Sequence, residues 1–229
     1  RLLDVLKRRE GPATFFVPAH TATSYPDLVK QVVADGHEVA CHGFLHESPV
    51  NLELAEEREL LAKSIKVLQD VTGVRPQGYR SPAWDLSPNT IPLLEEFGLR
   101  YDSSMMSNDF ELFYARTDDV LTEEGFTKGP ESSVVEFPVA WELDDYPYFQ
   151  FMVKPMNTGN RLPADVYKYW AAEFDAARAQ NGVFTLTCHP EIIGRGPRIK
   201  MLEELIEYMQ SFDDVVFSTM INAVPLINK

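Results

Sequence analysis

Residues 37–49 read HEVACHGFLHESP. The first half, HEVACH, is a short apolar run of strand length. The second half opens into a turn that carries His42 and His46, four residues apart. Working outward, SYPDLVKQVVADG (24–36) has the period of a helix, with Leu28, Val32 and Val33 on one face and Gly36 ending it. ATFFVP (13–18) reads as a buried strand, and residues 1–10 as the end of a helix. Downstream, 51–72 is a long helix with Leu54, Leu61, Ile65 and Leu68 on one stripe and Gly73 beyond its end.

The same alternation continues. QGYRSP (77–82) is a strand. SPNTIPLLEEFG (87–98) is a helix with Ser87 as its cap, Pro88 at its first position and Gly98 at its stop. LRYDSS (99–104) and SVVEFPV (133–139) are strands, with 105–132 irregular between them. A helix over 163–182 buries Val166, Trp170, Phe174 and Ala177. VFTLTCHP (183–190) is a strand, 198–212 a helix and DVVFST (214–219) a last strand. Strands that are apolar throughout are buried on both faces, as parallel strands are. This is an α/β chain, and so many βα units favour a closed or nearly closed barrel over an open sheet. In such barrels chemistry gathers where strands end. His42, His46, Arg80, Asp144, Asp145 and His189 all fall at those places.

The chain has 229 residues, the length of one domain with a full core, and no run apolar enough to cross a bilayer. Its 21 basic and 35 acidic side chains give a net charge of −14. Such a surface repels phosphates and anionic lipids, so neither nucleic acid nor membrane is expected as the partner. Cys41 and Cys188 do not make a disulfide framework. Each sits beside a histidine, open to thiolate ligation but favoured as a small buried residue. They point to a reducing, cytoplasmic compartment.

An H-x-x-x-H pair brings two imidazoles to one ion when its loop coils into a turn. By spacing alone it is equally two ordinary loop histidines. His189 at a strand end is either a general acid or a buried histidine bonded to a carbonyl. Arg80 has the side chain for holding a carboxylate bidentately. FPVAWELDDYPYF (137–149) alternates aromatics with carboxylates, which suits a carbohydrate-like substrate. Trp141, Trp84 and Tyr79 are the candidate substrate contacts.

TFFVP, GHEVACHGFLHE, GYRSPAWDLSP, FPVAWELDDYPYF and LTCHP, in this order, resemble the polysaccharide deacetylase family, the NodB-homology group of carbohydrate esterases. The nearest likeness is to the subgroup with peptidoglycan deacetylase-like proteins, cyclic imide hydrolases and allantoinase-like enzymes. The resemblance implies a single NodB-type domain over 1–229, a distorted (β/α)7 barrel. It implies metal-dependent hydrolysis of non-peptide C–N bonds, chiefly N-deacetylation of a sugar or polysaccharide. The alternatives are ring opening of a cyclic imide or ureide, and a non-catalytic carbohydrate-binding protein. His42 and His46 match the family's histidine metal ligands, with zinc as the expected ion. Arg80 matches the arginine that positions the catalytic carboxylate, Asp144 or Asp145 the acidic group of the fourth motif, and His189 the general acid. The subgroup also implies a homo-oligomer. The family's first motif, an acidic pair that supplies a third ligand and the base, lies upstream of the first helix. A strand carrying it is therefore expected before Arg1.

Overall fold

The computed structural model describes residues 1–152 and 159–228. The elements begin with α1 (Leu2–Arg8), β1 (Thr14–Val17), α2 (Ala19–Ser24), α3 (Pro26–Ala34), β2 (Glu38–Cys41), α4 (Leu54–Thr72), β3 (Gly78–Tyr79), α5 (Thr90–Glu96) and β4 (Tyr101–Asp102). Then come β5 (Phe113–Arg116), β6 (Val120–Thr122), β7 (Gly125–Thr127) and β8 (Glu131–Glu136). The last are α6 (Asp145–Phe149), α7 (Pro163–Ala179), α8 (Pro190–Ile193), α9 (Gly196–Gln210) and α10 (Met220–Ala223). The chain falls into two compact units. A sheet unit comprises Pro12–Met105, Leu112–Phe137 and Ser218–Lys229; a helical unit comprises Arg1–Gly11, Met106–Glu111 and Pro138–Phe217.

The sheet unit is built on a six-stranded sheet of order β1-β2-β3-β4-β8-β5. Pairing is parallel from β1 through β8, and β5 runs antiparallel to β8. The α/β reading therefore holds, with a mixed sheet. Helices α2 to α5 link successive parallel strands, as crossovers must. In α4 the buried stripe is Leu61, Ile65 and Leu68, while Leu54 is exposed. In α3 it is Val29 and Val32, and Leu28 points to solvent. Both misplaced leucines lie in the first turn of their helix, where the periodic pattern has only begun to constrain the face. The expected cap of α5 moves as well. The helix starts at Thr90, because Ser87 and Thr90 both donate their hydroxyls to the buried Glu57 of α4, each at 2.6 Å.

Close approach sets one glycine. A Cβ on Gly78 would lie 1.9 Å from the Tyr101 ring, so any side chain there would displace it. Tyr101 is fully buried, stacks edge-on to Phe137 at 5.4 Å and donates its hydroxyl to Glu38 at 2.8 Å.

Residues 105–132, expected to be irregular, contain three strands. β5 joins the sheet, and β6 and β7 form an antiparallel hairpin with Val120 opposite Thr127. The hairpin is exposed on both strands, so the burial alternation that marks a strand is missing from its sequence.

In the helical unit, α7 buries Val166, Trp170, Phe174 and Ala177, the face expected of it. Phe174 packs on Phe184, Tyr208 and Phe212 within 6 Å, which joins α7 to α9. The strands expected over 183–190 and 214–219 are not ladders among the described residues. The first makes a single parallel bridge, Thr187 to Asp144. Over 214–218 the second alternates exposed and half-buried residues, with Val216 86% exposed, so an apolar run of this length does not by itself fix a paired strand.

Candidate active site

In the sheet unit, β2 ends at Cys41 and delivers His42 into the following loop. The His42 Nδ1 lies 2.7 Å from the backbone oxygen of Arg80. A carbonyl only accepts, so Nδ1 carries the proton and the lone pair sits on Nε2. The His46 ring stands edge-on to that of His42, centroid to centroid 4.8 Å. Two imidazoles at this spacing, one with its tautomer set by a backbone acceptor, could offer nitrogen ligands to a divalent ion. Cys41 is fully buried, and burial pushes its thiol up to about 12. It is therefore a packed residue, not a thiolate ligand.

Arg80 is buried, with 6 % of its surface exposed. Its Nε donates to the Ser103 oxygen at 2.9 Å and its Nη2 to Ser103 Oγ at 2.7 Å. The guanidinium lies over the Phe16 ring at 4.4 Å. Beside it, the parallel pair Asp102 and Glu136 form a buried carboxyl pair. Glu136 Oε1 accepts from the Ser104 and Met105 amides, and Asp102 Oδ1 accepts from Ser104 Oγ. Their other oxygens, Asp102 Oδ2 and Glu136 Oε2, are buried with no hydrogen-bond partner among the described residues. Burial raises Asp102 to about 6 against the pull of its hydrogen bonds and of Arg80. Burial and the Asp102 charge raise Glu136 further. Both carboxyls therefore hold their protons more tightly than free carboxyls do.

In the helical unit, the Thr187 bridge positions Asp145, whose amide donates to the Thr187 oxygen. The fully buried Asp145 carboxylate accepts the His189 amide on both oxygens and meets His189 Nδ1 at 2.7 Å. Asp144 instead caps α6 by accepting the Tyr146 amide, and stands 3.8 Å from His189 Nδ1. The two adjacent carboxylates are thus distinguished by what they hold. Ligand atoms of Asp144, Asp145 and His189 lie within 4.8 Å of one another, a spacing that could also hold an ion. Asp145, however, already serves the His189 ring and amide, the arrangement of a histidine and its orienting carboxylate. For His189 burial lowers the pKa, but the Asp145 hydrogen bond and the charges of Asp144, Asp145 and Glu191 outweigh it and the net shift is upward. Asp145 is itself raised by burial, only partly offset by His189.

Of the expected substrate contacts, Trp141 is exposed, 45 % of its surface being open. Tyr79 and Trp84 are buried in the sheet unit, with Tyr79 OH near Ser81 Oγ at 3.5 Å. Neither offers an open ring face to a sugar. Sequence reasoning passed over Ser103, Asp102, Glu136 and Glu47. The first serine of the YDSS run and the glutamate directly after His46 are visible in the sequence, but neither names its partner, and the Asp102–Glu136 pairing leaves no signal there.

A family model described as polysaccharide deacetylase matches residues 1–101. A peptidoglycan deacetylase of Helicobacter pylori is 34% identical over 233 residues, covering 96% of this chain and 80% of the relative. A solved Mycobacterium smegmatis structure described as a polysaccharide deacetylase superposes with a TM-score of 0.85 at 35% identity, over 99% of this chain and 75% of that one. A solved PuuE allantoinase superposes with a TM-score of 0.79 at 26% identity, over 98% of this chain and 70% of that one. No helix among the described residues is long and apolar enough to cross a membrane. With motif order, α/β fold and relatives in agreement, the chain belongs to the polysaccharide deacetylase family, hydrolases of carbon–nitrogen bonds other than peptide bonds.

Proposed function

We propose that this protein is a zinc-dependent N-deacetylase that releases acetate from an N-acetylated sugar of a polysaccharide. The observation that carries the proposal is the His42–His46 pair, with His42 Nδ1 tied to the Arg80 carbonyl and its lone pair therefore on Nε2. His42 and His46 would hold the ion. When bound, a zinc ion supplies Lewis acidity to a water and to the acyl oxygen. Arg80, anchored by Ser103, orients the carboxylate that accepts the proton of the attacking water.

His189 is the general acid. Asp145 occupies its Nδ1, so Nε2 delivers the proton to the departing nitrogen as the carbon–nitrogen bond breaks. An amide anion is too poor a leaving group to depart without that proton. The upward shift of His189 keeps it protonated to higher pH, as an acid needs. Trp141, exposed over 45% of its surface, is the aromatic candidate to meet a sugar. Products are acetate and a free amine.

The likeness to an allantoinase supports a second reading, hydrolytic opening of a cyclic ureide by the same groups. Two measurements on the full-length protein separate the readings. A chitooligosaccharide and allantoin are assayed side by side. Acetate release without ring opening is expected, and the reverse result transfers the assignment to the ureide. In calorimetry with zinc, His42→Ala is expected to lose the tight site; undiminished stoichiometric zinc would remove the metal assignment.

A further inference from the structure

Four backbone groups of the loop that carries the two histidines are pinned by hydrogen bonds. Its carbonyls point to α2, where Gly43 O accepts the Ala19 amide at 3.1 Å and Phe44 O accepts the His20 amide at 2.9 Å. Its amides point the other way. Phe44 N donates to Glu47 Oε1 at 2.8 Å, and Leu45 N donates to Glu47 Oε2. A single carboxylate thus closes the turn between His42 and His46 by taking two of the three intervening amides. Next to it, Ser48 Oγ donates to Asp85 Oδ2 at 2.7 Å, tying the loop to the segment after Arg80.

Two residues of this loop adopt left-handed backbone. Gly43 does so at φ +71, and His46, which has a Cβ, does so at φ +68. A non-glycine residue keeps that conformation only where its surroundings over-determine it. The Glu47 bonds supply the constraint immediately before and after His46. Packing supplies the rest, since a Cβ on Gly43 would stand 3.2 Å from both Glu47 Oε1 and Pro82 Cγ.

From this geometry we infer that Glu47 is a positioning residue for the proposed metal pair. It holds the His42–His46 turn in its chelating form and is not itself a ligand. Both of its oxygens already accept backbone amides, which is how an outer carboxylate preorganises ligands. The inference rests on the metal reading above, so the experiment carries its own control. Zinc titration calorimetry and apo melting are run on the full-length protein and on H42A, E47A and E47Q.

The expected result for E47A is a zinc affinity lower by about 10–100-fold with the apo melting curve little changed. E47Q, whose single amide oxygen restores one acceptor, is expected between E47A and wild type. Hydrogen exchange at the Phe44 and Leu45 amides should accelerate in E47A and not in H42A, an effect that ligand removal alone does not give. Zinc affinity intact in E47A while H42A loses it overturns the inference and leaves the metal reading standing. Loss in E47A as complete as in H42A also overturns it, because Glu47 would then be a ligand. Zinc retained in H42A itself removes the metal reading instead. If E47A does not fold, E47Q decides by the same comparison, and an affinity equal to wild type is the overturning result.

Discussion

At the scale of single residues, the sequence singled out the histidines, Arg80 and His189 because their side-chain chemistry and motif order mark them. It could not divide labour between Asp144 and Asp145. Backbone direction at the Thr187 bridge does that, by turning one carboxylate to His189 and the other to the start of α6. Glu47 stayed hidden for a related reason: its partners are amides, which every sequence contains. A prediction follows for the dyad. Asp145→Asn keeps an acceptor oxygen but removes the charge that helps hold His189 above its ordinary value. The deacetylase rate should fall by about 100-fold or more. The residual activity should also lose its high-pH limb at lower pH than wild type, because a general acid works only while protonated. A pH–rate profile whose alkaline limb stays in place would contradict the assigned partnership.

At the scale of elements, helices were legible wherever an apolar stripe ran for several turns. Helix α7 is the clearest, with all four expected residues buried. Strands were legible only where burial and pairing coincide. β6 and β7 pair without burial, and 183–190 is largely shielded without a ladder. The stripe on α7 gives a stability test. Trp170 is fully buried and donates its indole N–H to the Glu142 oxygen at 3.0 Å. Trp170→Ala should cost about 3–5 kcal/mol in urea denaturation. Leu121 in the hairpin is 85% exposed, and Leu121→Ser should stay within about 0.5 kcal/mol of wild type. Equal costs at the two positions would mean that the burial described for α7 does not support the fold.

For the molecule as a whole, stability should depend on pH through groups of opposite sign. Asp102, raised to about 6, and Glu136, raised further, hold their protons more tightly folded than unfolded. Their contribution is complete below the unfolded carboxylate range and is lost as pH rises through about 6 and beyond. His37 is buried, its ring nitrogens have no partner among the described residues, and burial lowers its pKa. Its contribution is present above the ordinary histidine value and lost as pH falls through the lowered one. Glu136→Gln keeps a neutral partner beside Asp102 at every pH. Its urea midpoint should therefore fall less than that of wild type between about pH 5 and pH 8. Parallel curves for the two proteins would refute the raised Glu136 carboxyl. Nothing in the sequence announced this pair, because its two members lie 34 positions apart and only the β4–β8 register brings them face to face. The sealed Cys41 on β2 has a different use. With its thiol held near 12, only about one molecule in ten thousand carries a thiolate at pH 8, and that sulfur is closed to solvent. Alkylation there would wait for β2 to part from β1 and β3, so a slow-reacting thiol one residue from His42 becomes a built-in clock, counting how often the sheet opens.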